Sequence, residues 1–114
     1  MRPISEESVF LKSYDLYRML HEAIKKYPKG DRHSLGERTA VNVLELIKSI
    51  TKACYAKKEW KVPHIDQAIV AHELAKVHVR LANDTKCLDQ RQYVAAQDRL
   101  QEIGRMLGGW KNSV

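Results

Sequence analysis

The chain has 114 residues, of which 44% are apolar and 30% charged, and its formal net charge is +6 at pH 7. That is one domain, with enough apolar side chains for one core and a well-solvated surface. No apolar run reaches the length of a membrane span, no signal core follows the first charges of MRPISEESVF, and two cysteines, Cys54 and Cys87, are too few for a disulfide framework. The expectation is a cytoplasmic protein with no membrane partner.

Turn signals at YPKGDRHS (27–34), KEWKVPH (58–64) and DTKCLD (84–89) cut residues 1–114 into four periodic segments. None alternates as a strand does. The spacing predicts helices over about 8–27, 35–57, 63–86 and 90–108, an all-α chain folded as an antiparallel four-helix bundle. The first segment sets Phe10, Tyr14, Tyr17, Leu20, Ile24 and Tyr27 on one face and stops before Pro28 and Gly30. The second opens on SLGE, where Ser34 and Glu37 have the spacing of a capping box, and then runs Ala40, Val43, Ile47, Ile50, Cys54.

The third segment admits Pro63 in its first turn and carries two apolar stripes. Ile65, Ala68, Ala75, Val79 and Ala82 form one, with His72 in the middle; Val70, Leu74, Val77 and Leu81 form the other. At helical pitch their centres lie about 155° apart. A peripheral helix of a lone bundle needs one apolar face, so the second stripe calls for a second copy, or for a core face closed by the N-terminal arm. The fourth segment starts at Asp89 with Gln92 in the reciprocal capping position and runs Tyr93, Ala96, Leu100, Ile103, Leu107. Gly109 reads as its left-handed terminator, with Trp110 folding back on the last turn, and Gly104 as room for the indole or another helix.

EIGRMLGGW (102–110), together with SYDLYRML (13–20), YPKGDRHSLGER (27–38) and LANDTKCLDQRQY (81–93), resembles the Avd family, the accessory variability determinants of diversity-generating retroelements. The pieces fall in order and span residues 13 to 110. The terminal piece is fairly specific; the earlier ones are shared with a broader family of bacterial four-helix-bundle proteins. The resemblance implies a bundle that assembles into a pentameric barrel. It also implies binding to nucleic acid and to the element's reverse transcriptase, in mutagenic copying of a template repeat.

Catalytic and metal patterns fail on inspection. His21-Glu22 and His72-Glu73 begin like HExxH, but Lys25 and Lys76 stand at the closing positions. No Glu has His three residues later, as a di-iron bundle requires, and there is no CxxC. The glycines at 104, 108 and 109 are not followed by GK[ST], and no serine or cysteine has an arguable base. The expectation is no enzyme, no metal and no cofactor, with His72 a hydrogen-bonded packing residue.

What remains is charge. Residues 1–62 hold 13 Lys/Arg against 8 Asp/Glu, and residues 63–114 hold 7 against 6. Lys48 and Lys52 share a helix face, as do Lys76 and Arg80; Arg91, Arg99 and Arg105 lie off the fourth core stripe; Arg32, His33 and Arg38 crowd the turn before the second helix. Each pair alone reads first as a solvated face. In a ring of five the surplus of six becomes about thirty, and a modest patch becomes a belt for DNA or RNA phosphates. Trp60, among Lys57, Lys58 and Lys61, is the best stacking platform. The competing reading is a four-helix-bundle interaction module that meets only other proteins, its charge incidental.

Overall fold

The computed structural model describes residues 7–114. Positions 1–6, on which the expectations of a missing leader and of a closing N-terminal arm largely rest, lie outside the described residues. Four long helices carry the fold: α1 Ser8–Ile24, α2 Glu37–Tyr55, α3 Lys61–Asp84 and α4 Gln90–Ser113. Cross-helix contacts fix their directions. Lys12 meets Glu102 while Asp15 meets Arg99, so α1 and α4 are antiparallel. Asn42 reaches Ala71 and Lys61 reaches Ala53, so α2 and α3 are too. His72 pairs with Leu100 and Asp66 with Lys111, which orients α3 against α4. Each helix packs on its chain neighbours and α4 returns to α1, which places α1 diagonally across from α3. The result is an up-down-up-down bundle of 44 × 22 × 21 Å.

The core is built from Leu16, Leu20, Val43, Leu46, Ile50, Ile65, Val79, Leu100, Ile103 and Leu107, all essentially sealed from solvent. Two faces keep some of their expected members, Leu20 and Tyr27 on the first and Val43 and Ile50 on the second, but turn the rest of the core side toward neighbouring residues. On α1 the buried positions are Val9, Ser13, Leu16, Leu20 and Ala23, not the aromatic row. Phe10, Tyr17 and Ile24 pack on the core's flank and Tyr14 is half exposed. Ser13 hides among apolar neighbours because its hydroxyl donates to Val9 O at 2.8 Å. On α2 the sealed positions include Thr39 and Leu46, while Ala40, Ile47 and Cys54 are only partly covered. Thr39 uses the same device as Ser13, donating to Leu35 O at 2.7 Å.

Two predicted helix ends are corrected. Ser34 is not an N-cap. The chain is already helical from Lys29, after Pro28, and passes through a π-helical turn at Arg32–Gly36 before α2. Ser34 donates to Gly30 O at 2.8 Å instead. Gly36 allows this path: a β-carbon there would stand 2.7 Å from Ile24 Cγ2, so the missing side chain lets the end of α1 lie close against α2. Gly109 does not end α4. No glycine has positive φ, and α4 continues to Ser113.

The Schellman ending occurs on α3, with Lys86 as its left-handed residue at φ 65°. Cys87 N–H donates to Ala82 O at 2.8 Å and Lys86 N–H to Asn83 O at 3.1 Å, the two bonds that define the motif. Asp89 and Gln92 form the capping box expected of them, Gln92 N–H donating to Asp89 Oδ1 at 2.8 Å and Asp89 N–H to Gln92 Oε1 at 3.0 Å.

Candidate nucleic-acid interface

The buried side of α3 is Ile65, Ala68, His72, Ala75, Val79 and Ala82, while Val70, Leu74, Val77 and Leu81 are 44–68% exposed. The two stripes read from sequence therefore face core and solvent, and the second has no cover among the described residues. His72 is 5% exposed, with Nε2 2.6 Å from Leu100 O. Its ring takes the space a side chain at Gly104 would need: a β-carbon there would lie 2.8 Å from His72 Cε1. Gly104 makes room for the imidazole, not for the indole of Trp110. Trp110 packs against the edge of the core.

The predicted cations divide among different faces. Lys48 and Lys52 are exposed on α2 and line a groove with Gln67, Val70 and Leu74 of α3. Lys76 and Arg105 line a second groove, between α3 and α4, together with Gln101, Gly104 and Gly108. Lys76 is partly engaged, its Nζ 3.4 Å from Glu73 Oε2. Arg80 lies one turn further along α3, exposed, and Arg91 is exposed at the start of α4. Arg99 is committed elsewhere: Nε donates to Asp15 Oδ2 at 2.7 Å and Nη1 to Ala95 O at 3.1 Å, clamping α4 to α1. Among the described residues, Lys48, Lys52, Arg80, Arg91 and Arg105 have no acidic partner within ion-pair distance. One chain thus offers separate basic ridges, not one patch.

Trp60 is 63% exposed on the short connection between α2 and α3, with Lys57 and Lys58 exposed beside it. Lys61 is not part of that cluster. Its ammonium donates to Ala53 O at 2.7 Å and Cys54 O at 3.0 Å, closing the open carbonyls at the end of α2.

A further basic group, apart from Arg32, escaped the sequence reading. Lys25, Lys26, Lys29 and Arg32 are all exposed at the turn between α1 and α2. The up-down topology brings the α3–α4 turn, with exposed Lys86 and Arg91, to the same end of the bundle. The signal is present as four cations in the eight residues KKYPKGDR, but proline and glycine in the same stretch mark a change of chain direction and mask the charge. Nearby, Lys25 donates to Glu22 at 3.1 Å and holds that carboxyl below its usual range. Tyr27, 3% exposed, has its phenol pushed up to about 12 by burial.

Another groove between α2 and α3 is lined by His33, Glu37, Arg38, Val41, Glu45, Leu74 and His78. Burial, and then the charge of Arg38, push the His78 imidazole down from its ordinary value. Its Nδ1 is buried without a hydrogen-bond partner. Among the described residues no three His, Cys, Asp or Glu side chains converge as a metal site would require. No described helix is long and apolar enough to cross a membrane.

No curated protein matches the chain. A family model described as bAvd-like matches residues 8–114, which takes in all four helices, the EIGRMLGGW segment and every basic ridge described above. The chain therefore belongs to the bAvd-like family.

Proposed function

We propose that this protein is a non-enzymatic accessory factor of a diversity-generating retroelement, acting as a pentameric ring that binds DNA or RNA and the element's reverse transcriptase. Membership of the bAvd-like family carries the reading. The physical support is the set of exposed cations without acidic partners. Scattered over one chain, they become rings of charge once copies are arranged about an axis. Such a surface contacts phosphates and is indifferent to base sequence, so DNA and RNA both bind, and each neutralised phosphate releases condensed counterion.

Fluorescence anisotropy with a labelled oligonucleotide at several salt concentrations tests this. The expected result is binding that weakens steeply from low to physiological salt. Light scattering after size exclusion is expected to give a mass near five times 13.2 kDa. Absence of binding even at low salt overturns the nucleic-acid reading and leaves a protein-only interaction module.

A further inference from the structure

The solvent-facing stripe of α3 needs a partner surface, and a second apolar surface exists elsewhere on the chain. Lys12 and Asp15 turn toward α4, so at helical pitch Tyr14 and Tyr17 lie on the flank of α1 nearest α2. Phe10 packs against Tyr14 with tilted rings whose centroids are 5.9 Å apart, and Tyr17 stacks on His21 at the same distance, so two ring pairs line this flank as an aromatic ridge. Asn42 turns toward α3, so Leu44 lies on the opposite flank of α2, beside that ridge. Tyr14 is 51% exposed and Leu44 49%. This shelf on the α1–α2 edge is distinct from the α3 stripe.

We infer that the Val70/Leu74/Val77/Leu81 stripe of one copy docks on the Tyr14/Leu44 shelf of the next. The inference rests on the assembly proposed above and names the faces that meet. Three observations carry it. First, the surfaces differ, so the contact is heterologous and leaves a free face on each copy. Second, they lie about a third of a turn apart around the bundle, since Ala71 and His72 direct the α3 stripe outward between α2 and α4. Faces half a turn apart would add copies in a line; faces closer than that close a ring.

Third, the heights agree. Lys12 is level with Glu102 and Asp15 with Arg99, which sets Leu100, and with it His72, level with Tyr14 along the bundle. Tyr17 is then level with Ala75, and the pairing of Asn42 with Ala71 sets Leu44 level with Ile69. A rotation about an axis parallel to the helices preserves height, so the shelf meets the Val70 and Leu74 end of the stripe. Arg18 and Asp84, both exposed and without an ion-pair partner among the described residues, fall on the two sides of this contact within about two helical turns of each other.

The test uses two charge insertions at exposed positions, Leu74→Glu and Leu44→Glu, with far-UV circular dichroism to verify helicity and light scattering to give mass. Wild type is expected to be assembled. Each variant alone is expected to run at 13.2 kDa. Mixed in equal amounts, the two are expected to form a heterodimer of twice that mass, because the mixture keeps one intact stripe and one intact shelf. A mixture that stays monomeric overturns the pairing. So does a Leu44→Glu variant that assembles like wild type, since the stripe would then meet another stripe. A monomeric wild type defeats the assembly reading itself, a separate result from either of these. Should a glutamate variant lose helicity, Leu74→Ser and Leu44→Ser give the same comparison with less perturbation.

Discussion

Gly104 and Gly109 lie five residues apart on α4 and answer to different neighbours. Gly104 faces the buried His72 ring, so Gly104→Ala is expected to cost about 1–3 kcal/mol through overpacking. In a His72→Ala background the same substitution should cost almost nothing, and thermal or urea melts of the four proteins measure that coupling. Gly109 has nothing within 4 Å of its missing β-carbon and ordinary helical backbone. Gly109→Ala is therefore expected to stabilise the protein by about 0.5–1 kcal/mol. A helix terminator at this position, as the local pattern suggests, would give the opposite sign. Lys86 is the residue where the left-handed penalty falls, and Lys86→Gly should raise the melting midpoint by relieving about 1 kcal/mol. His78 adds a pH dependence. Its imidazole is held below the ordinary value of 6.5, so the unfolded chain takes up the proton first. The folded state keeps its full advantage above pH 6.5 and loses it as pH falls, a slope that His78→Gln should flatten in melts between pH 7 and 5.

At the scale of the helix, element type and number were legible because four long segments repeat at helical period and Asp89 carries a genuine cap. The phase of α1 was not, for a chemical reason. Five tyrosines and one phenylalanine dominate an apolar reading of the chain, yet a tyrosine hydroxyl prefers a wet edge, while Ser13 can be buried by donating to its own helix. Aromatic rings therefore mark the flank of α1, and its core face is carried by smaller residues. The two-sidedness of α3 was fully legible, because two stripes of aliphatic residues on one helix have no polar device to explain them. The helix ends near Ser34 and Gly109 were not legible because a cap motif is a local pattern, and packing against Ile24, Tyr27 and His72 decided what the small residues near those ends do. Lys61 hides its role for a similar reason: a lysine beside an exposed tryptophan resembles a phosphate contact until its carbonyl partners are seen. Lys61→Met should lower stability by about 0.5–1.5 kcal/mol through the loss of those bonds, with little change in nucleic-acid affinity.

At the scale of the whole molecule, the basic ridges and the basic end make different predictions. Lys76→Gln with Arg80→Gln should weaken binding to all sequences alike and lessen the salt slope, while the assembly stays intact. Lys26→Gln with Lys29→Gln should do the same if the end of the bundle meets phosphates, and an anisotropy titration of both double variants at matched salt ranks the two regions. How that end is aimed depends on the π-helical turn at Arg32–Gly36. One extra residue in a helical turn offsets the phase of everything before it by about 100° without disturbing the helix beyond it. Removing a single residue from this turn would leave the core positions of α2 in place and swing Lys29, which precedes it on the same helix, around the helix axis. The bearing of the charged tip is thus encoded in a count, independently of the charges themselves, and a one-residue deletion could redirect the tip without altering the net charge.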